Sequence, residues 1–229
     1  MIVGGGRTFP LDRARVRAHV VDANDGIIAT AGVVEGLVGA GFGAGTVLVA
    51  SLAAMVGGGL ALGGMKFSEA ADERDARLAT LEAERRQLDL LPDEELTELA
   101  GLYEAKGLSP ELARAVAREL SDHDALAAHA DAEHGIALGG GDATPWSTAV
   151  LAGVAFMIGS AVPLLVILLT PAALRGAVTF VAVVLALCLT SAVVASLGGT
   201  SVRRTILRTV AIGVATMSLT LLGGTLFGL

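Results

Sequence analysis

Charge-free, largely apolar stretches occupy residues 36–65, 143–174, 176–202 and 209–229 of the chain. A helix rises ~1.5 Å per residue and needs ~20 apolar residues to cross ~30 Å of hydrocarbon. Extended back to Gly26 across Glu35, the first stretch is long enough for two such helices. The glycine-rich GAGFGAG at 39–45 is the natural hairpin between them. Thr170-Pro171 and Arg175 divide 143–202 in the same way. The pattern predicts five helices, over 25–43, 46–67, 147–169, 176–197 and 206–227. The expected fold is an all-α integral membrane protein, with five transmembrane helices and a helical cytoplasmic insert between helices 2 and 3.

The insert has a different texture. SEAADERDARLATLEAERRQLDLL, from Ser68, is rich in Ala, Leu, Glu and Arg and reads as a continuation of helix 2. Pro92 then opens a second helix with acids in its first turn, stopping at Gly107. A third begins with Ser109 as N-cap and Pro110 at the first helical position, and ends at Gly135, with a break expected near Ser121. GGGDATP at 139–145 returns the chain to the apolar part. The expected organisation is an N-terminal cytoplasmic segment (1–24), helices 1 and 2 (25–67), the insert (68–142) and helices 3 to 5 (143–229).

Charge follows the same division. Residues 66–142 hold 19 of the 23 acids, whereas 143–229 hold four charges, all arginine. Mean hydropathy is +0.69, and Cys188 is the only cysteine. These figures exclude a single soluble globule, a disordered chain and a disulfide scaffold. A net charge of −7 without a basic tract argues against nucleic acid as a partner. Arg7, Arg13, Arg15 and Arg17 precede helix 1, and Arg203, Arg204 and Arg208 separate helices 4 and 5. By the positive-inside rule the N-terminus and the insert face the cytoplasm, and an odd number of spans leaves the C-terminus outside. No nucleophile–base set or cofactor loop is visible, so no enzyme and no cofactor are expected. The GGG runs at 4–6, 57–59 and 139–141 lack a P-loop lysine.

A helix offers metal ligands on one face at spacings of three, four, seven or eleven residues. Glu95 and Glu98 are three apart, and Asp122, His129 and Glu133 fall on one stripe of an unbroken helix. His129 with Glu133 suits a borderline divalent ion better than two carboxylates would. The alternative is a solvated acidic face whose carboxylates pair with Arg85, Arg86, Arg114 and Arg118. His123 and His134 share another face and receive no role.

Several motifs, in register, resemble the vacuolar iron transporter family, in its bacterial branch with a cytoplasmic metal-binding insert. They are DANDGIIATAGVVEG in helix 1, GGGLALGGMKFSEAADERD at the end of helix 2, EELTELAGLYEAKGL, SPELARAVAREL and HDALAAHADAEHGI in the insert, and GSAVPLL in helix 3. The resemblance runs from residue 19 to 229. It implies a homodimer in a bacterial inner membrane that exports Fe²⁺, often also Mn²⁺, in exchange for protons. It also implies roles by position: Asp25 as the helix 1 carboxylate on the transport path, and Glu84, Glu95, Glu98 and Glu133 as glutamates of the insert. His129 stands where some members have a methionine ligand.

The chain departs from that family twice. Aligned back from Glu73-Arg74-Asp75, the methionine and glutamate that the family places at the end of helix 2 are Leu62 and Lys66 here. A salt bridge between Lys66 and Asp25 would remove a ligand from the ion's path. Glu35, where the family is apolar, is expected near mid-membrane as a proton or metal site with Met55 at similar depth, or as a protonated acid bonded within the bundle. An acid at that depth costs on the order of 3 kcal/mol or more unless paired or wetted. The departures leave two rivals to export: a metal-binding or scaffold protein that does not transport, and transport of another cargo by an altered path.

Overall fold

The computed structural model describes residues 13–138 and 143–228. Among these the chain is all helix and turn: α1 (Arg13–Gly39), α2 (Ala44–Leu90), α3 (Pro92–Ala105), α4 (Pro110–His134), α5 (Pro145–Leu169), a 3₁₀ turn (Ala172–Leu174), α6 (Arg175–Gly198) and α7 (Val202–Phe227). Four segments are long and apolar enough to cross a membrane: α2, α5, Ala172–Gly198 and α7. The chain forms two compact units, Ser68–Pro145 and the residues on either side of it. The expected return over 139–145 lies partly outside the described residues.

In the first unit α1 is the helix that the others enclose. It packs on α6 and α7, and Ile27 and Ala31 form one core cluster with Val183, Leu187 and Met217. On its other side Val34 meets Val47 of α2 and Leu164 and Ile167 of α5. This placement explains why α1 falls short of the hydropathy of the other long helices. A helix that touches protein rather than lipid can carry Asp22, Asn24 and Thr30, all buried. The lipid-type surface belongs to its neighbours, where Leu60, Ile158, Leu185 and Leu219 are each more than 60% exposed without a charge nearby.

Close backbone approach sets the spacing. A Cβ added to Gly159 of α5 would land on the carbonyl of Ala23, and one added to Gly26 would land on that of Phe156. Ser160 Oγ donates to the Gly26 carbonyl at 3.2 Å, beside Pro163, which removes one backbone donor from α5. On α2, Gly59 and Gly63 meet α5 at Met157 and Ala149. Small residues four apart are the usual means of bringing membrane helices together. The hairpin after α1 turns through Gly41 at φ +77°, a conformation glycine adopts without steric cost. At the end of the unit the rings of Phe67 and Trp146 lie 4.8 Å apart, with Trp146 71% exposed.

Helix 1 begins twelve residues earlier than the sequence pattern suggests, because Arg13–Asn24 are helical although polar. Asp25 therefore stands in the middle of α1 rather than at its start. Glu35 is four residues from the end of α1 rather than midway along the span. Val34, next to Glu35, and Met55 of α2 both belong to the cluster built on Val47, Leu164 and Ile167.

The second unit is built on a hairpin of α3 and α4. Leu99, Ala100 and Ala117 are sealed at its centre, with Leu96, Tyr103, Ala128 and Ala132 around them. Ser109 caps α4 by accepting from the Leu112 N–H at 3.4 Å, and Gly135 ends it at φ +65°. The break in α4 comes at Asp124, which leaves helical geometry (φ −162°, ψ 93°). Its Oδ1 accepts from the Ala127 N–H at 3.0 Å, so it restarts the helix as an N-cap would.

Candidate metal centre

Three helices each bring acid or imidazole to one point of the second unit. Glu84 comes from α2 and Glu95 from the first turn of α3, one turn before the sealed Leu99. His129 and Glu133, a turn apart, come from the part of α4 beyond the Asp124 break. One ligand atom from each of the four lies within 4.8 Å of all the others. His129 Nδ1 is 2.8 Å from Glu133 Oε1, 3.2 Å from Glu84 Oε1 and 3.6 Å from Glu95 Oε2. His129, Glu84 and Glu95 are buried, and Glu133 is partly so.

Three carboxylates around one imidazole are an electrostatic problem without a cation. Burial first, and then the Glu84 carboxylate, hold the Glu95 carboxyl above the usual carboxylate range, against the opposing pull of His129; Glu98 and Glu133 add to the rise. Glu84 Oε1 is buried and accepts no hydrogen bond, because the nearby His129 Nδ1 bonds to Glu133 Oε1 instead. Three oxygens and a nitrogen suit a borderline divalent ion such as Fe²⁺ or Mn²⁺. Donors about 2.1 Å from a shared ion lie roughly 3–4.2 Å from one another, and the 3.2 and 3.6 Å separations of His129 Nδ1 from Glu84 and Glu95 fall in that range.

The sequence-predicted residues divide cleanly. Glu84, Glu95, His129 and Glu133 converge. Glu98 is exposed and stays outside the set, although its charge acts on Glu95. Asp122, expected on one stripe with His129, is exposed on the other side of the Asp124 break, so the angular argument for an unbroken helix fails there. His134 was given no role, yet its Nε2 is 3.7 Å from Glu84 Oε2 and 3.9 Å from Glu133 Oε2. Its position in the last turn before Gly135 was the available signal. The solvated-face alternative does not describe the three buried members.

In the first unit, Asp25 is exposed on α1, and the charges acting on it are Asp22 and Lys66. Glu35 is buried and its Oε2 faces Gly176 of α6, while Met55 packs with the cluster that contains the adjacent Val34.

With this geometry in hand, the sequence pattern of the VIT family matches residues 16–225. The chain belongs to the VIT family. A "Vacuolar iron transporter" from Acanthamoeba castellanii is 37% identical over 186 residues, covering 80% of this chain and 67% of that protein. "Vacuolar iron transporter 2" from Oryza sativa subsp. japonica is 29% identical over 174 residues, or 75% of this chain and 70% of the relative. All but the first three residues of the enclosed α1, and all of the converging ligands of this VIT-family chain, lie inside the matched region.

Proposed function

We propose that this VIT-family protein is a transporter that exports Fe²⁺ or Mn²⁺ from the cytoplasm, in exchange for protons. The observation that carries the reading is the buried set of Glu84, Glu95, His129 and Glu133, which has the donor chemistry for such an ion, in a chain related to proteins named for iron transport. In this reading α1 is a fifth span beside the four apolar ones, and its enclosure by α5, α6 and α7 supports that role. The N-terminus and residues 68–142 lie in the cytoplasm of a bacterial cell, with the C-terminus outside. The insert collects the ion, Asp25 is its carboxylate on the membrane path, and the working unit is a homodimer. The chain is a carrier rather than an enzyme, and the ion is its substrate.

A second reading is a metal-binding or scaffold protein that does not transport. Lys66 favours it, because its ammonium acts on Asp25 where the family usually offers a carboxylate. Transport of another cargo by an altered path is the remaining rival. Purified protein in proteoliposomes, assayed for Fe²⁺ and Mn²⁺ flux with and without a pH gradient, separates these. Gradient-dependent flux of either ion supports export by exchange. Metal binding without flux supports the scaffold, and flux of neither ion without binding sinks both.

A further inference from the structure

Beyond Asp25, α1 carries one more acid. Glu35 is 2% exposed, and its Oε1 is buried with no hydrogen-bond donor. Its Oε2 faces the first turn of α6, where a Cβ on Gly176 would come within 3.4 Å of it. One turn further along α6, Thr179 is fully buried and its hydroxyl also lacks a partner. On the far side of Glu35, Gly36 packs on Thr220 of α7, and Gly224 packs on the Gly36 carbonyl.

The charged surroundings are sparse. Residues 44–65 of α2, 145–169 of α5 and 209–228 of α7 contain no acid, base or histidine. On α6 the one charge is Arg175, next to Gly176. It is buried, its Nη2 donates to the Thr170 carbonyl at 3.3 Å, and its Nε has no partner. On α1 itself the next acid is Asp25, ten residues or ~15 Å away. Glu35 and Arg175 have no ion pair with each other within 4.0 Å.

A buried acid without a partner is costly in a membrane protein and is retained where it has work to do. The work here is not metal binding. A divalent ion needs several oxygen or nitrogen donors, and the described surroundings offer one carboxylate and one hydroxyl. A proton needs a single carboxylate oxygen. The apolar cluster of Ile27, Ala31, Val183, Leu187 and Met217 fills the α1–α6 contact on the side toward Asp25, and would stop a hydrated ion from passing along it.

We propose that Glu35 is the proton-binding site of the exchange, separate from the cargo path at Asp25. The inference rests on the transport reading. Exposed Asp25 takes the metal ion on the surface of α1, while Glu35, buried against α6, binds one proton as a neutral carboxylic acid and releases it as carboxylate. The two ions then never compete for one ligand.

The test uses the full-length protein in proteoliposomes, with Mn²⁺ as the driven ion and an internal pH dye. Wild type should move protons when Mn²⁺ moves. Glu35→Gln should cut that proton movement at least tenfold, and Glu35→Asp should restore part of it, with Mn²⁺ binding at Glu84, Glu95, His129 and Glu133 unchanged in both. Proton movement of wild-type size in Glu35→Gln, or Mn²⁺ flux without proton movement in wild type, overturns the proposal. If wild type moves no metal, the transport reading has failed, and infrared difference spectroscopy judges the site by itself. A protonated-carboxyl stretch that titrates in wild type and vanishes in Glu35→Gln supports Glu35 as the proton site. Absence of that band overturns it.

Discussion

His129 Nδ1 lies 3.2 Å from Oε1 of Glu84, a residue 45 positions earlier and on a different helix. That contact ties α2 to α4 across the insert and makes ion binding a property of its tertiary structure. A metal that binds there holds three helices at once.

Removing ligands from two of the three helices should therefore be severe. In the full-length protein in detergent, Glu84→Ala with His129→Ala should weaken Mn²⁺ binding well beyond the roughly 10–100-fold typical of losing an outer-shell partner. Calorimetric titration measures it. Binding of wild-type strength in the double variant would return the segment to a solvated acidic face.

Acid should oppose the metal and favour the metal-free fold. The Glu95 carboxyl is held above its usual range, chiefly by burial and then by Glu84, so the folded chain binds that proton more tightly than the unfolded chain does. The associated stability is complete below the unfolded value of ~4.3 and is lost as pH rises through the folded value. Glu95→Gln should flatten this dependence and raise the metal-free melting temperature at neutral pH by a few degrees. Mn²⁺ affinity in wild type should fall as pH is lowered, since the proton competes for the ligand.

Two glycines should respond in opposite ways to the same substitution. Gly159→Ala places a methyl group on the Ala23 carbonyl and should cost about 1–3 kcal/mol as α1 and α5 are forced apart. Gly64→Ala, in the interior of α2 with open space around it, should gain about 0.5–1 kcal/mol from helix propensity. Thermal melts of the two variants against wild type provide the measurement.

Topology can be read by labelling. With Cys188 replaced, a cysteine at Ala71 should react only with a permeant reagent in intact cells, and one at Ala172 should react with an impermeant reagent added outside. External labelling at Ala71 would contradict the five-span arrangement.

The long helices were legible because lipid-facing segments must be apolar throughout. The end of α4 was legible because Gly135 is a plain stop signal. The start of α1 was not. Its first twelve residues are polar, and composition cannot distinguish a helix shielded by protein from a loop in water. His129 and Glu133 were found as an i, i+4 pair, the one relation in the site that is local in sequence. Asp122 was placed wrongly on the same principle, because the Asp124 break lies inside the run and a single residue leaving the helix resets its phase. His134 was missed because nothing local links it to Glu84, fifty residues away. Glu35 was recognised as unusual from its place in an apolar run, but its approach to Gly176 of α6 was not legible, since packing between helices distant in sequence leaves no local signal.

Trp146 is the only tryptophan in the chain, largely exposed at the rim of the helical bundle with its ring tilted against that of Phe67. The protein therefore carries one tryptophan fluorophore, excitable apart from the single tyrosine, Tyr103, at the start of an apolar helix where aromatic side chains typically meet lipid headgroups. With red-edge excitation that spares Tyr103, its emission maximum and its quenching by bromine-labelled acyl chains report the depth of that rim. Any ion-driven movement of α5 against the bilayer can be followed by light from the unmodified protein.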